Sequence, residues 1–581
     1  MQFKKNLILK YGSYYPIKIF ADFKESDSLA TLLTLLSKAS DKDTAEIKYE
    51  LKSTGDSWVA KAQKYIADNP ETNKTPIFNK TESPAFQVKI QISSNNKTLL
   101  SSLIDSFSVF TRADGNSFVT KNFLKLSSFS ILNIKELATL WHLPSNLVKT
   151  SGLSWGTEIL SDPPLNLPTE NVNFFAKTTF KNKETVFGIK DDDRRRHIWA
   201  IGKTGTGKST LIANLAIDDI RKGKGIAVID PHGDLADILL NHIPASRIND
   251  VIYLNPADRE FPISINPLEV TDKDEAEFVV SGIIAIFSKI FGQFWGPRLE
   301  YVLRNALLTL TEVPDATLAD VPRILTDRNF RLEITQNLND KVLKSFWENE
   351  FENLPPNLQK EVVFPILNKI GQFVTSPLLR NVIDKPKSTI NLEEVIESGK
   401  ILIANLSQGK IGEDNGKLLG AMLITKLQLA AMKRVNINEN ERKDFYLYVD
   451  EFQNFATDSF IKILSEARKY HLNLMLANQY IDQIPPQVQK AILGNAGTLI
   501  AFSAGASDAR ILASEFANVF TQDNLINMQN YQIALRMMID GHSERPFLAT
   551  TLPLPSLVNG NKEKIIKVSR ERWGKKAKEV V

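Results

Sequence analysis

Residues 197–217 read HIWAIGKTGTGKSTLIANLAI, and this stretch decides the fold. A short apolar strand, His197–Ile201, leads into Gly202-x-x-x-x-Gly207-Lys208-Ser209, and the amphipathic run Leu211–Ile220 predicts a helix immediately after it. Glycines let a backbone wrap phosphate groups with its N–H donors, and the helix N-terminus adds a positive dipole end. The phosphate-binding loop is therefore expected to comprise Gly202, Lys203, Thr204, Gly205, Thr206, Gly207, Lys208, Ser209 and Thr210. Lys208 is placed to reach the β- and γ-phosphates of ATP, and Ser209 to offer a hydroxyl to Mg²⁺.

Such a loop needs carboxylates at the end of a neighbouring strand. The segment Asp444-Phe-Tyr-Leu-Tyr-Val-Asp450-Glu451 supplies them, with five strand-forming residues ending in two acids. A run apolar on both faces belongs in the middle of a parallel sheet. Asp450 is expected to hold Mg²⁺ through water, and Glu451 to polarise the attacking water. Gln479 follows the next apolar strand, Leu472–Leu476, and either meets the γ-phosphate and that water or faces solvent. Asp230, in IDPHGDL, either approaches the metal site or forms the turn with Pro231 and Gly233. At 100° per residue over Asp458–His471, Arg468 falls beside Ile461 and Leu464 on an apolar helix face. A charge there needs a partner, either an internal carboxylate or the γ-phosphate of a neighbouring subunit's ATP.

Outward from these motifs, short strands alternate with helices from His197 to about Thr271, and strands return at 400–405, 445–449, 472–476, 498–502 and 533–538. A long helical stretch separates the two parts. The sequence thus predicts an α/β fold: a RecA-like P-loop motor domain (166–270 and 396–560) interrupted by an all-α insertion (271–395). An α+β N-terminal domain (1–165) precedes it and a basic tail (561–581) follows. Asn69–Ser83 reads as a loop, Leu160–Glu170 as a Pro-rich strap, and Lys562–Glu579 as a basic arm or a solvated helix. In the insertion, Phe291, Phe294, Trp295, Arg298, Tyr301 and Arg304 form either core or one mouth of a ring that selects substrate or partner.

The chain has 581 residues, 43% hydrophobic and 24% charged, a size that implies several domains. It has no cysteine, which excludes disulfides and thiolate metal sites, and its six histidines lack ligand spacing. A net charge of +4 says little about nucleic acid by itself. No apolar run approaches the ~20 residues that span a bilayer, so the expectation is a cytoplasmic protein without an intrinsic membrane span, peripheral to the inner membrane through a partner.

Taken together, GKTGTGKST, DPHGDL, YVDEFQNF and LSEARKYHLNLMLANQ resemble the HerA/FtsK superfamily of ring-shaped DNA-pumping ATPases, within it most of all the coupling-protein-like ATPases of type IV secretion and conjugation (the TraG/TraD group). The resemblance covers about residues 190–560. It implies a homo-hexamer with ATP at subunit interfaces and DNA in its channel, bound largely without regard to sequence, and a partner in secretion or conjugation machinery. It also implies that Lys208, Ser209, Asp450, Glu451 and Gln479 are catalytic-site residues and that Arg468 acts in trans. Two other readings remain open at this stage: a secretion ATPase acting on protein substrates, and a nucleotide-gated assembly scaffold.

Overall fold

The computed structural model describes residues 2–576 except 24–25, 38, 41–42, 121–128, 146–147, 149–161, 181–182, 271–272 and 458–459. The chain divides into two compact units, residues 1–156 and 157–581.

In the N-terminal unit, strands β1 (Phe3–Leu9), β2 (Ala45–Ser53), β3 (Ala85–Ser94) and β4 (Phe118–Thr120) form an antiparallel sheet in the order β2-β3-β1-β4, and β5 (Ser130–Asn133) pairs with β3. Helices Ala30–Ser37 and Lys97–Ser106 link β1 to β2 and β3 to β4, the split βαβ plan. Alternate residues Leu7, Leu9, Val88, Ile90 and Ile92 face a core shared with Leu100, Leu103, Phe107 and Phe110. Within the stretch expected to be a loop, Thr75–Thr81 is instead a helix: Pro76 suits a first helical turn, and Ile77 is fully buried. Lys80 of that helix pairs at 3.0 Å with Glu136, both fully buried.

The larger unit is built on an eleven-stranded sheet. Its strands are β6 (Asn173–Phe180), β7 (Lys183–Ile189), β8 (Ile198–Ile201), β9 (Gly225–Asp230), β10 (Val251–Leu254), β11 (Ile401–Asn405), β12 (Phe445–Val449), β13 (Leu472–Asn478), β14 (Thr498–Ala501), β15 (Gln532–Arg536) and β18 (Phe547–Thr551). A small hairpin, β16 (Met538–Ile539) with β17 (His542–Ser543), stands apart. The order is β10-β11-β9-β12-β13-β8-β14-β15-β18-β6-β7. The first seven strands run parallel and the last four pair antiparallel. Every residue of β8, β9, β11, β12, β13 and β14 is buried, which is why these strands read as unbroken apolar runs.

Helices from Lys273–Phe291 to Leu392–Glu397 form the expected insertion between β10 and β11. Of its aromatic and basic cluster, Phe291 is buried and stacks on Trp295, whereas Phe294, Arg298 and Tyr301 are exposed. Among the described residues no single helix is long and apolar enough to cross a membrane; one bent pair, Pro356–Val374 with Pro377–Ile383, passes by length and composition, and its apolar side (Ile366, Ile370, Phe373, Val382) is buried in the insertion's core.

The basic tail is a docked helix, Lys562–Trp573, rather than a free arm. Ile565 is buried, the Ser569 hydroxyl accepts from Tyr253 N at 2.9 Å, and Arg570 pairs with Asp258. The start of the strap at Leu160 and the tail beyond Lys576 lie outside the described residues.

Candidate functional site

In a parallel sheet every strand points its C-terminal end to the same edge, and ligands bind there. Four loops meet at this edge: Gly202–Gly207 after β8, Pro231–Gly233 after β9, Asp450–Asn454 after β12, and Gln479–Tyr480 after β13. Because β13 lies between β8 and β12, the loop after β8 and the acids after β12 flank Gln479.

The phosphate loop begins where β8 ends. Gly202 N donates to Asn478 O at 3.3 Å and Lys203 N to Ser503 O at 2.9 Å, which anchors its entry between β13 and β14. A Cβ on Gly202 would lie 2.5 Å from Phe502 Cβ. Gly207, at φ 119°, turns the chain into the helix Lys208–Arg221, and a Cβ there would strike the Tyr531 ring at 2.8 Å. Lys208 Nζ donates to the carbonyls of Gly202 (2.6 Å) and Lys203 (3.0 Å), and the Thr206 hydroxyl donates to Lys203 O. Burial lowers the Lys208 ammonium pKa, and the charges of Glu451 and Asp450 oppose that shift.

The two acids directly follow β12. Ser209 Oγ donates to Asp450 Oδ2 at 3.0 Å. Burial pushes the Asp450 carboxyl up to about 6, with the charges of Glu451 and Asp230 adding to the push. A hydroxyl beside a buried carboxylate is a donor set suited to a hard divalent cation shared with phosphate oxygens, so these residues fit Mg²⁺. Glu451 follows in the left-handed region (φ 48°, ψ 49°), a conformation that costs a side-chain-bearing residue about 1–2 kcal/mol and turns its carboxylate toward β13. Gln479 Nε2 donates to Glu451 Oε1 at 2.8 Å, so Gln479 is not a solvent-facing loop residue.

Asp230 forms the turn and also lies near enough to Asp450 for its charge to act on that carboxyl. Its oxygens accept from His232 N (2.9 Å) and Ala236 N (2.8 Å), closing the turn into the helix Asp234–His242.

Arg468 is not where helical periodicity puts it. The α-helix spans Phe460–Glu466 and gives way to a 3₁₀ turn, Ala467–Tyr470. The tighter turn rotates Arg468 off the apolar face, and its side chain is exposed. It pairs with no carboxylate among the described residues, so a buried charge in need of neutralisation is not the reason for its position. It precedes β13, at the sheet edge opposite the phosphate loop. The seven residues of β13 span roughly 20 Å, more than an arginine can bridge within one chain.

Three residues at the edge carried no usable sequence signal. Gln453 Nε2 donates to Glu451 Oε2. His232 Nε2 lies 3.9 Å from Glu451 Oε1. Tyr531 N donates to Thr206 O at 2.8 Å while its half-exposed ring covers Gly207. His232 and Gln453 stand inside the motifs DPHGDL and YVDEFQNF, whose chemistry points first to their acids; Tyr531 stands in none.

Residues 185–531, more than half of the chain, match the family model described as the type IV secretion-system coupling protein DNA-binding domain. Among curated proteins, the type 4 coupling protein DotL of Legionella pneumophila is 21% identical over 399 residues, covering 58% of this chain. The chain spans half the length of that relative. Among solved structures, the plasmid coupling protein TrwB in complex with ADP and Mg²⁺ superposes with a TM-score of 0.50 at 13% identity, covering 68% of this chain and 98% of TrwB. The TrwB complex with the non-hydrolysable analogue ADPNP gives 0.50 at 15% identity, over 68% and 96%. At these identities the superpositions establish a shared fold.

Proposed function

Because this chain belongs to the family of type IV secretion-system coupling proteins, we propose that it is a Mg²⁺-dependent ATPase that moves DNA through a ring of identical subunits, six by resemblance. The observation that carries this reading is the meeting of Ser209–Asp450 (3.0 Å) and Glu451–Gln479 (2.8 Å) at one sheet edge, below a loop built for phosphates. The first pair would hold the metal and the second a water molecule. That TrwB was solved with ADP and Mg²⁺ supports the ligand assignment.

In this reading the loop amides and Lys208 bind the phosphates of ATP and fix the γ-phosphoryl group for in-line attack. Ser209 and Asp450 would hold Mg²⁺, which when bound would supply positive charge beside the phosphate oxygens. Glu451 accepts the proton of the attacking water, and Gln479 holds the Glu451 carboxylate in place. Arg468 serves the site of an adjacent subunit. DNA is gripped mainly through its phosphates, with little dependence on sequence. The need for ATP puts the motor in the cytoplasm, docked to secretion or conjugation machinery at the inner membrane through a partner.

The test is ATP turnover by the full chain with single- or double-stranded DNA and without DNA, at two salt concentrations, beside Glu451→Gln. DNA should raise turnover, less so at high salt, and Glu451→Gln should lower turnover by several orders of magnitude, to a residual rate, while ATP binding persists. Turnover indifferent to both DNA forms at low salt would refute the DNA motor, and near-normal turnover by Glu451→Gln would refute the site.

A further inference from the structure

We propose that Gln453, held by Lys289 of the helical insertion, is a positioning residue for Glu451, so that the insertion bears directly on ATP turnover. The inference rests on the reading of Glu451 as the base.

The Glu451 carboxylate is gripped from two sides. Gln479 donates to Oε1 from the end of β13, inside the rigid sheet, whereas Gln453 donates to Oε2 from the short 3₁₀ turn Phe452–Asn454. The two amides fix both carboxylate oxygens, and with them the direction in which a lone pair meets the water. Gln453 accepts a penalty for this aim: its Oε1 is buried with no hydrogen-bond partner among the described residues. Turning the amide over would set oxygen against the carboxylate, so only one orientation serves Glu451.

The turn that carries Gln453 is anchored at its ends. Asn454 N returns to Glu451 O at 3.0 Å, and buried Phe452 packs on Phe460 with ring centroids 4.5 Å apart. At its middle, Gln453 O accepts from Lys289 Nζ at 2.8 Å. Lys289 lies in the last turn of Lys273–Phe291, the first helix of the insertion. That helix is pressed against Glu413–Met432 so closely that a Cβ on Gly282 would lie 2.6 Å from Thr425 Cγ2. With its middle seated there, any tilt of the helix moves Lys289 relative to the turn. The chain Lys289–Gln453–Glu451 thus joins the insertion to the base in two hydrogen bonds.

Turnover (kcat and KM for ATP) and binding of a fluorescent ATP analogue would be measured on the full chain for Gln453→Leu, Lys289→Met, Lys289→Arg, Glu451→Gln and the double variant Glu451→Gln/Gln453→Leu. Gln453→Leu and Lys289→Met should each lower kcat ~10- to 100-fold with KM and analogue affinity unchanged, as misplacement of a catalytic group does. Lys289→Arg, which still donates to the carbonyl, should regain most of the rate. Gln453→Leu should cost nothing further once Glu451 is already Gln. A folded Gln453→Leu with wild-type kcat overturns the proposal, as does a full additional loss in the double variant. If Gln453→Leu does not fold, the lysine pair decides, and wild-type kcat in Lys289→Met overturns it. Failure of the base assignment is read separately, from wild-type turnover in Glu451→Gln alone.

Discussion

Gln479 and Glu451 lie 28 positions apart in the chain, yet their side chains meet at 2.8 Å because β12 and β13 are parallel neighbours in register, Val449 opposite Leu476. Each residue leaves its strand just past that pair, so the contact follows from the topology. It holds the carboxylate ready before any substrate group arrives. Gln479→Leu, which keeps the size but removes the donor, should lower kcat ~10²-fold with little change in ATP affinity. A wild-type kcat would show that the amide plays no part in hydrolysis.

Beneath the site, Asp219 of the phosphate-loop helix receives both terminal nitrogens of Arg194 at 2.7 Å, the Tyr448 hydroxyl, and Asn173 Nδ2 at 2.8 Å. Arg194 and Asp219 are fully buried, and their bonds tie the helix to β12 and β6. Removing the carboxylate leaves the buried guanidinium with only its longer contact to Asp191, at 3.7 Å. Asp219→Ala should therefore cost about 3–5 kcal/mol, whereas Tyr448→Phe should cost about 1 kcal/mol. Urea unfolding of the larger unit would check both values; equal small losses would mean that solvent reaches the pair.

The parallel strands were legible because burial on both faces leaves uninterrupted apolar runs, as in Phe445–Val449 and Leu472–Asn478. The antiparallel flank was not: β6 and β7 carry Lys177, Thr178, Thr179, Lys183, Glu184 and Thr185, which blur the apolar signal. The phosphate loop and acid pair were readable because their chemistry demands fixed spacings. Gln453 was hidden, since an amide two positions after its target makes contact only because Glu451 is left-handed, a backbone state no periodicity encodes. Arg468 was misplaced for a related reason: a 100° rotation per residue was extended past Glu466, where the helix changes type.

His197 sets a limit on acid stability. Its Nδ1 accepts from Leu474 N and its Nε2–H donates to Leu464 O, each at 3.2 Å, so the fully buried ring is neutral. Burial lowers its pKa from 6.5 to about 4, and the nearby Arg468 charge adds to the shift. The unfolded chain thus binds a proton between pH 6.5 and 4 that the folded one does not, and stability rises with pH across that window. Acidification through it should remove about 3 kcal/mol. In His197→Gln, whose amide can make the same two bonds without titrating, the stability curve should be flatter by about 2 kcal/mol between pH 6.5 and 4.5. Parallel curves for the two proteins would mean that His197 is not held neutral.

The ring is tested most directly through Arg468, which is exposed, unpaired with any described acid, and at the wrong edge of the sheet to serve its own phosphate loop. An arginine placed on a neighbour's γ-phosphate stabilises transition-state charge and contributes ~10³–10⁵ in rate. Being exposed, Arg468 should be replaceable by alanine without loss of stability, so Arg468→Ala subunits should fold, assemble and bind ATP yet hardly hydrolyse it. Lys208→Ala subunits should be inactive for a different reason, having lost the phosphate lysine while keeping the arginine. Mixing the two creates interfaces in which the intact loop of an Arg468→Ala subunit faces the intact arginine of a Lys208→Ala subunit, and those interfaces should turn over. ATPase rate against mixing ratio should therefore rise to a maximum between two inactive ends, with light scattering confirming mixed assemblies. Stable mixed rings that stay inactive at every ratio would rule out action in trans, and wild-type turnover in Arg468→Ala alone would remove the residue from the reaction altogether.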